Sequence, residues 1–158
     1  MEKTNVMRLI EQKKIPYRAH SYTASVSAAD VARELGQDPR RVFKTLVATA
    51  GKNKYYVFMI PAECELNLKK AAAAAGEKYI EMIPAKELLP LTGYIHGGCS
   101  PIGMKKSFPT FIDESVEQFE TILFSAGRIG AQVEMPLDSL NRMHPVRTTS
   151  LVTTQLRQ

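Results

Sequence analysis

Apolar positions recur at helical spacing near the start of the chain. Val6, Met7, Leu9 and Ile10 fall on one face of a helix that Thr4 can cap and that runs to about Lys14. Pro16 blocks its continuation. Tyr17 to Tyr22 then alternates as a short strand does, and Ser27 with Asp30 forms a capping pair for a helix ending at Gly36. Asp38-Pro39 opens another helix, because the aspartate caps it and a proline in the first turn gives up no needed N–H. Thr45 to Ala50 and Lys54 to Ile60 are rich in β-forming residues and flank Gly51-Lys52-Asn53, which predicts a β-hairpin. Asn67 caps a helix through the alanine run to Gly76; a strand at Lys78 to Met82 and a short helix from Pro84 to Leu89 follow. Further strands are expected at Gly93 to His96, Thr110 to Asp113, Thr121 to Ser125 and Ala131 to Met135, with a helix at Leu137 to Met143. Helices and strands interleaved around an antiparallel pair predict a mixed α/β domain, not a purely parallel wind.

Composition narrows the class. The 158 residues hold no internal repeat or linker, so one domain spanning 1–158 is expected. At 44% hydrophobic and 23% charged, the chain has the make-up of a globular protein, which excludes wholesale disorder and a coiled coil. Ala71 to Ala75 is far too short to span a bilayer and the opening Met1-Glu2-Lys3-Thr4 is polar, so no membrane association and a cytoplasmic location are expected. Cys64 and Cys99 are too few for a disulfide framework. The balance of 21 Lys+Arg against 16 Asp+Glu leaves +5, a modest excess whose default reading is solvated surface. Asp138 is the last acid; Arg142, Arg147 and Arg157 follow it, and a basic tail is expected from about 145.

The densest unusual segment is Gly93-Tyr94-Ile95-His96-Gly97-Gly98-Cys99-Ser100-Pro101-Ile102-Gly103. Such glycine density marks close backbone approach or positive φ, in a structural turn or a ligand site alike. As a phosphate loop it fails: Gly98 and Gly103 have the spacing, but Met104 stands where lysine belongs. As a serine-hydrolase elbow it also fails, because the second glycine is one position late and Pro101 has no amide proton. A nucleophilic Cys99 needs a base, and His20, His96 and His144 show no diagnostic spacing to it, so Cys99 reads as a small apolar residue of the loop. The scattered cysteines and histidines form no zinc pattern, and neither a metal nor a cofactor is expected. Sequence signatures of nucleic-acid modules are absent too. Lys44, in Val42-Phe43-Lys44-Thr45-Leu46, interrupts an apolar approach to the hairpin. Its ammonium either snorkels to solvent or meets an anionic or carbonyl group.

Taken together, these segments resemble the YbaK/EbsC/ProX family of freestanding aminoacyl-tRNA deacylases, above all its Cys-tRNA(Pro) deacylase branch. The resemblance runs almost end to end, through His20-Ser21-Tyr22, the Val42 to Leu46 segment, Leu66-Asn67-Leu68-Lys69-Lys70, Thr92 to Lys106, Pro109 to Asp113 and Ser125 to Gly130. It implies a mixed, largely antiparallel sheet forming a partly closed β-barrel with surrounding helices. It implies trans-editing, the removal of cysteine from mischarged Cys-tRNA(Pro) and also from Cys-tRNA(Cys), with the cysteinyl thiol attacking its own ester. By that resemblance Lys44 contacts the acyl or terminal-ribose end; in such a mechanism the developing oxyanion needs donors, for which backbone N–H groups of Gly97 and Gly98, or Lys44, are the candidates. Gly97, Gly98, Ser100, Pro101 and Gly103 shape the pocket, while Tyr22, Thr45, Ser125 and Gly127 line or support it. The mischarged acceptor end is the expected partner, prolyl-tRNA synthetase a transient one, and the chain a monomer. Two departures bear on specificity: Gln132 stands where members carry Asp, and Ala126 replaces a glycine. The segment around Val26-Ser27-Ala28 is also shorter. A deacylase for alanine or serine, and a noncatalytic module that binds a synthetase or aminoacyl-tRNA, are the alternatives.

Overall fold

A computed structural model describes residues 2–23 and 27–153. Val26 of the shortened segment and residues 154–158 of the expected tail lie outside the described residues.

Polar caps start three of the helices. Thr4 Oγ1 accepts the Met7 N–H at 3.2 Å to open α1 (Asn5–Gln12), whose buried stripe is Val6, Met7 and Ile10. After β1 (Arg18–Ser21), Ser27 caps α2 (Ala28–Leu35) through the Asp30 N–H at 3.2 Å, and Gly36 closes it. A 3-10 turn, Pro39–Arg41, leads into the hairpin of β2 (Phe43–Gly51) and β3 (Lys54–Pro61). Lys52 and Asn53, at φ 54 and 62, form a two-residue turn whose twist matches the strands. Asn67 Oδ1 accepts two N–H groups at 3.0 Å to cap α3 (Leu68–Ala75). Then follow β4 (Glu81–Met82), α4 (Ala85–Thr92), β5 (Thr110–Asp113), β6 (Ile122–Ser125), β7 (Ala131–Met135), α5 (Leu137–Met143) and β8 (Arg147–Thr149).

Four expectations need correction. No strand forms at Gly93 to His96. Instead α4 continues through Pro90, Thr92 Oγ1 donates to Leu88 O at 2.7 Å, and Gly93 ends the helix by donating to Leu89 O at 2.8 Å. The chain then turns at once, with the Gly98 N–H on Ile95 O at 2.9 Å. The helix expected at Asp38-Pro39 is a single 3-10 turn, because the chain enters β2 directly after it. The strand at Lys78 to Met82 shrinks to β4, the only part facing Ala48 and Thr49. The segment read as the start of a basic tail contains β8, which runs parallel to β5. Its residues are mostly exposed, so it carries no apolar alternation to announce it.

The strands form two sheets, ordered β1-β7-β6 and β4-β2-β3-β5-β8. They meet at a parallel bridge between Val42 and Leu123. Val6, Met7, Ile10, Phe43, Met59, Ile112, Phe124 and Val133 belong to the largest core cluster, while Ala71 and Ala72 of α3 pack over Phe58, Ile60 and Phe111. Alanines let that helix approach the sheet closely.

Candidate active site

Strand alternation sorts the site residues of β2 onto two faces. Phe43 belongs to the main core and Val47 packs with Cys99, so Thr45, between them in the alternation, faces that side. Val42 packs with Ala32 and Leu123 on the other side, and Lys44 follows it there. The Val42–Leu123 bridge runs parallel, so Lys44 and Ser125, each two residues further on, share one side of the seam between the sheets. Gln132 pairs with Ser125 across β6 and β7, and His20 pairs with Gln132 across β1 and β7. Lys44, Ser125, Gln132 and His20 thus form one row across the seam.

Two members of that row are unmatched. Lys44 is half-buried and has no ion pair or hydrogen bond from its ammonium among the described residues. Gln132 is 6% exposed, and its Oε1 is wholly buried with no donor. A buried carbonyl left this way forfeits about 1–3 kcal/mol unless a ligand or water donates to it. On the opposite face Thr45 Oγ1 is also buried and unsatisfied.

The glycine segment packs against the β6–β7 loop. A Cβ on Gly98 would meet Arg128 Cα and Ile129 N at 3.0 Å, so only glycine lets these backbones touch. Gly97 lies against the Ile129 side chain, and Gly103 and Gly127 both approach the ring of Tyr94, whose hydroxyl donates to Ile102 O. Gly127 has φ 98, and a Cβ there would meet Val6 at 2.9 Å. Tyr22 joins the group through its N–H on Gly130 O at 3.0 Å. The Gly98 N–H is spent on Ile95 O, whereas the Gly97 N–H has no acceptor among the described residues.

The chain's own nucleophiles are poorly set. Burial pushes the Cys99 thiol up to about 12, which leaves it protonated near neutrality. Ser100 is fully buried and its Oγ accepts the Ile102 N–H at 3.3 Å; Pro101 beside it is buried too. Burial lowers the His144 pKa, and its ring lies against Thr110 and Phe108. Among the described residues no cluster of three His, Cys, Asp or Glu could hold a metal ion.

Residues 23–143 match the family of aminoacyl-tRNA editing domains. The chain belongs to that family. It is 46% identical over 142 residues, 88% of this chain and 87% of the relative, to EbsC of Enterococcus faecalis, named as a Cys-tRNA(Pro)/Cys-tRNA(Cys) deacylase. It is 31% identical over 86 residues to a proline–tRNA ligase of Thermosipho africanus, covering 54% of this chain and 15% of that enzyme. A solved structure described as a trans-editing enzyme for prolyl tRNA synthetase shares the fold, with TM-score 0.84 at 21% identity over 97% of this chain and 100% of that one.

Next to the row of this editing domain, on the same face of β7 and sharing His20 with it, lies a polar hub that sequence reasoning missed. Glu134 accepts from Arg41 and from Thr121 at 2.6 Å each, and from His20 Nε2 at 2.8 Å. These four residues sit two to four positions from Gln132, Lys44, Ser125 and Tyr22 along the chain. Burial, the largest influence, pushes the Glu134 carboxyl up, yet the hydrogen bonds from Thr121, His20 and Arg41 outweigh it and hold the pKa below the ordinary value. The sequence signal was slight, because Glu134 alternates with the core residues Val133 and Met135 and reads as an ordinary polar position of a strand.

Proposed function

We propose that this editing domain removes cysteine from mischarged Cys-tRNA(Pro), and from Cys-tRNA(Cys), by cleavage that the substrate's own thiol carries out. The observation that carries this reading is a pairing of opposites. Lys44 and the Gln132 carbonyl stand unmatched in one row, while Cys99 and Ser100 are buried. A site with recognition groups, whose loop thiol and hydroxyl are buried, suits a substrate that brings its own nucleophile. The similarity to EbsC supports the same substrate class.

Such an activity meets a physical need, because cysteine and proline are close in size and a synthetase pocket cannot exclude a near-isostere by packing alone. In the step itself the substrate sulfur bonds to its own ester carbonyl carbon. The bond from that carbon to the ribose oxygen breaks, and the thiol proton ends on the freed ribose hydroxyl. The products are a cyclic thioester of cysteine and uncharged tRNA. Proximity supplies much of the rate. Lys44 and the free Gly97 N–H stabilise the oxyanion, and Gln132 Oε1 accepts from the substrate ammonium. Gly98, its own N–H engaged, shapes the loop together with Ser100, Pro101 and Gly103. Tyr22, Ser125 and Gly127 support the wall, and Thr45 acts from the far side of β2. No cofactor enters this scheme.

At the scale of the molecule, residues 1–158 act as one monomeric, cytoplasmic editing domain whose two sheets form a partly closed barrel. A transient complex with prolyl-tRNA synthetase supplies tRNA selectivity that a chain this small has little surface to provide. Deacylation of Cys-tRNA(Pro), Cys-tRNA(Cys), Ala-tRNA(Pro), Ser-tRNA(Pro) and Pro-tRNA(Pro) tests the reading. Cysteinyl esters should turn over, and S-methylation of the cysteine should abolish that turnover. Equal rates with the methylated substrate refute the thiol mechanism, preference for alanine or serine moves the specificity, and no turnover at all leaves a binding module.

A further inference from the structure

Cleavage by the substrate thiol moves a proton from sulfur to the ribose oxygen, and that proton needs a carrier. Of the chain's three histidines, His144 has its Nε2 held between Thr110 Oγ1 at 2.8 Å and Phe108 O at 3.2 Å. His96 is exposed, with no partner to orient its ring among the described residues. His20 differs from both, because it stands in the row and its ring is fixed: Nε2 lies 2.8 Å from Glu134 Oε1, and the side chain is 20% exposed. The other oxygen of Glu134 accepts from Arg41 at 2.6 Å. A carboxylate paired with a guanidinium is ionised, and it accepts hydrogen bonds without donating any. His20 must therefore carry a proton at Nε2, so whenever the ring is neutral its lone pair sits on Nδ1. The two nitrogens of an imidazole diverge, which turns Nδ1 away from Glu134, and Nδ1 has no hydrogen bond among the described residues.

Its place in the row matches the need. His20 and Gln132 stand directly opposite across β1 and β7, with Cβ atoms about 4.5–5.5 Å apart in such a pair. With the substrate ammonium on Gln132 Oε1, the thiol stands on the next carbon, beside the two strand neighbours of Gln132. One is Ser125, whose Oγ accepts the Gly127 N–H at 3.1 Å; the other is His20. An imidazole, unlike a hydroxyl, can take up a proton near neutral pH. We propose that His20 is the general base of the editing reaction. Its Nδ1 takes the thiol proton as sulfur bonds to the ester carbonyl carbon, and returns it to the ribose oxygen as the carbon–oxygen bond breaks, so that the ring ends neutral. Glu134 is a positioning residue, which holds the Nε2 proton and with it the tautomer. The charged groups on the elements around the ring are Glu134 of β7, Arg41 of the turn before β2, Lys44 of β2 and Arg18 of β1; on α2 they are Glu34, which accepts from Thr23, and the paired Asp30 and Arg33. The inference deepens the editing reading and rests on it.

Two variants and two substrates test it. On Cys-tRNA(Pro) at pH 7, His20→Gln should lower kcat by roughly a hundredfold and leave KM within about twofold, although glutamine can still donate to Glu134. His20→Ala should lose as much, and added imidazole should recover part of its rate. A histidine that only braced the hub would be restored by the glutamine and ignored by imidazole. The loss should shrink above about pH 8.5, where a free cysteine thiol ionises without help. On a selenocysteinyl ester of the same tRNA, whose selenol is already ionised at pH 7, both variants should stay within about threefold of wild type. Nitrogen-15 NMR of the unliganded protein reads the tautomer without turnover, and should find the proton of the neutral ring on Nε2. If wild type cleaves no cysteinyl ester, the editing reading fails and takes this inference with it. If wild type does cleave it, full activity in His20→Gln, an equal loss on the cysteinyl and selenocysteinyl esters, or a neutral ring protonated at Nδ1 would overturn this inference alone.

Discussion

At the residue scale, Lys44 and Cys99 show how local surroundings decide which group does chemistry. Both interrupt their neighbourhoods in the sequence, and only the neighbours in space tell them apart. Lys44 keeps an unmatched ammonium on the seam, so Lys44→Ala should slow deacylation roughly a hundredfold, the order lost when a single oxyanion contact is removed. Because Lys44 is only half-buried, its thermal unfolding, followed by circular dichroism, should stay within a few degrees of wild type. Cys99 packs with Val47 and Val57, and its buried thiol is held protonated. Cys99→Ala should keep activity within about threefold, and its pH–rate profile should overlay that of wild type, rising with pH as the substrate thiol ionises. A profile that loses this rise in Cys99→Ala would transfer the nucleophile to the enzyme. Gln132 marks the limit of sequence reading at this scale. Its identity shows that a carboxylate is missing, but that its carbonyl is buried and unsatisfied depends on strands distant in sequence.

At the scale of elements, what was legible depended on whether the signal was local. Caps at Thr4, Ser27 and Asn67 and the hairpin turn announced themselves because each is settled within a few residues. The strand expected at Gly93 to His96 failed because nothing local reveals that no neighbouring strand is there to pair with it. Strand β8 was invisible for the opposite reason: β5 recruits a polar, mostly exposed segment whose pattern carries no period. The hub at Glu134 likewise exists only once β1, β6, β7 and the turn before β2 have assembled. Its contribution can be read by pH. A carboxyl whose folded pKa is depressed stabilises the fold above its unfolded value, here 4.5, and that stabilisation is lost as pH falls through the folded pKa. Glu134→Gln should therefore cost about 1.5–3 kcal/mol at pH 7, the range for hydrogen bonds to charged groups. In urea titrations the gap from wild type should narrow steadily below about pH 4.5. A gap that stays constant into acid would mean that the carboxylate charge contributes nothing. Because the hub braces three strands and the turn before β2 next to the site residues, kcat should fall in the same variant at pH 7.

At the scale of the whole molecule, the family match ends inside the folded unit. It covers residues 23–143, yet α1, which closes the core, and β1 and β8, which form edges of the two sheets, lie outside that span. From α1, Val6, Met7 and Ile10 are no more than 1% exposed, and Val6 reaches the backbone of Gly127 in the glycine-loop assembly. Burying three such side chains contributes about 1.5–3 kcal/mol each, a sum comparable with the whole stability of an ordinary domain. A chain lacking residues 1–14 should consequently lose cooperative unfolding in calorimetry and show exposed apolar surface by dye binding. The helix also fixes the loop that carries Arg128 against Gly98, so a milder variant separates packing from chemistry. Val6→Ala should destabilise by about 1–3 kcal/mol, as truncation of a fully buried aliphatic does, and leave a folded protein. In that protein, turnover of cysteinyl-tRNA should decline more than thermal stability alone explains, because the loops that form the glycine rim lose their backing. A cooperative transition at the wild-type temperature in the chain lacking 1–14 would show instead that the two sheets hold their core without α1.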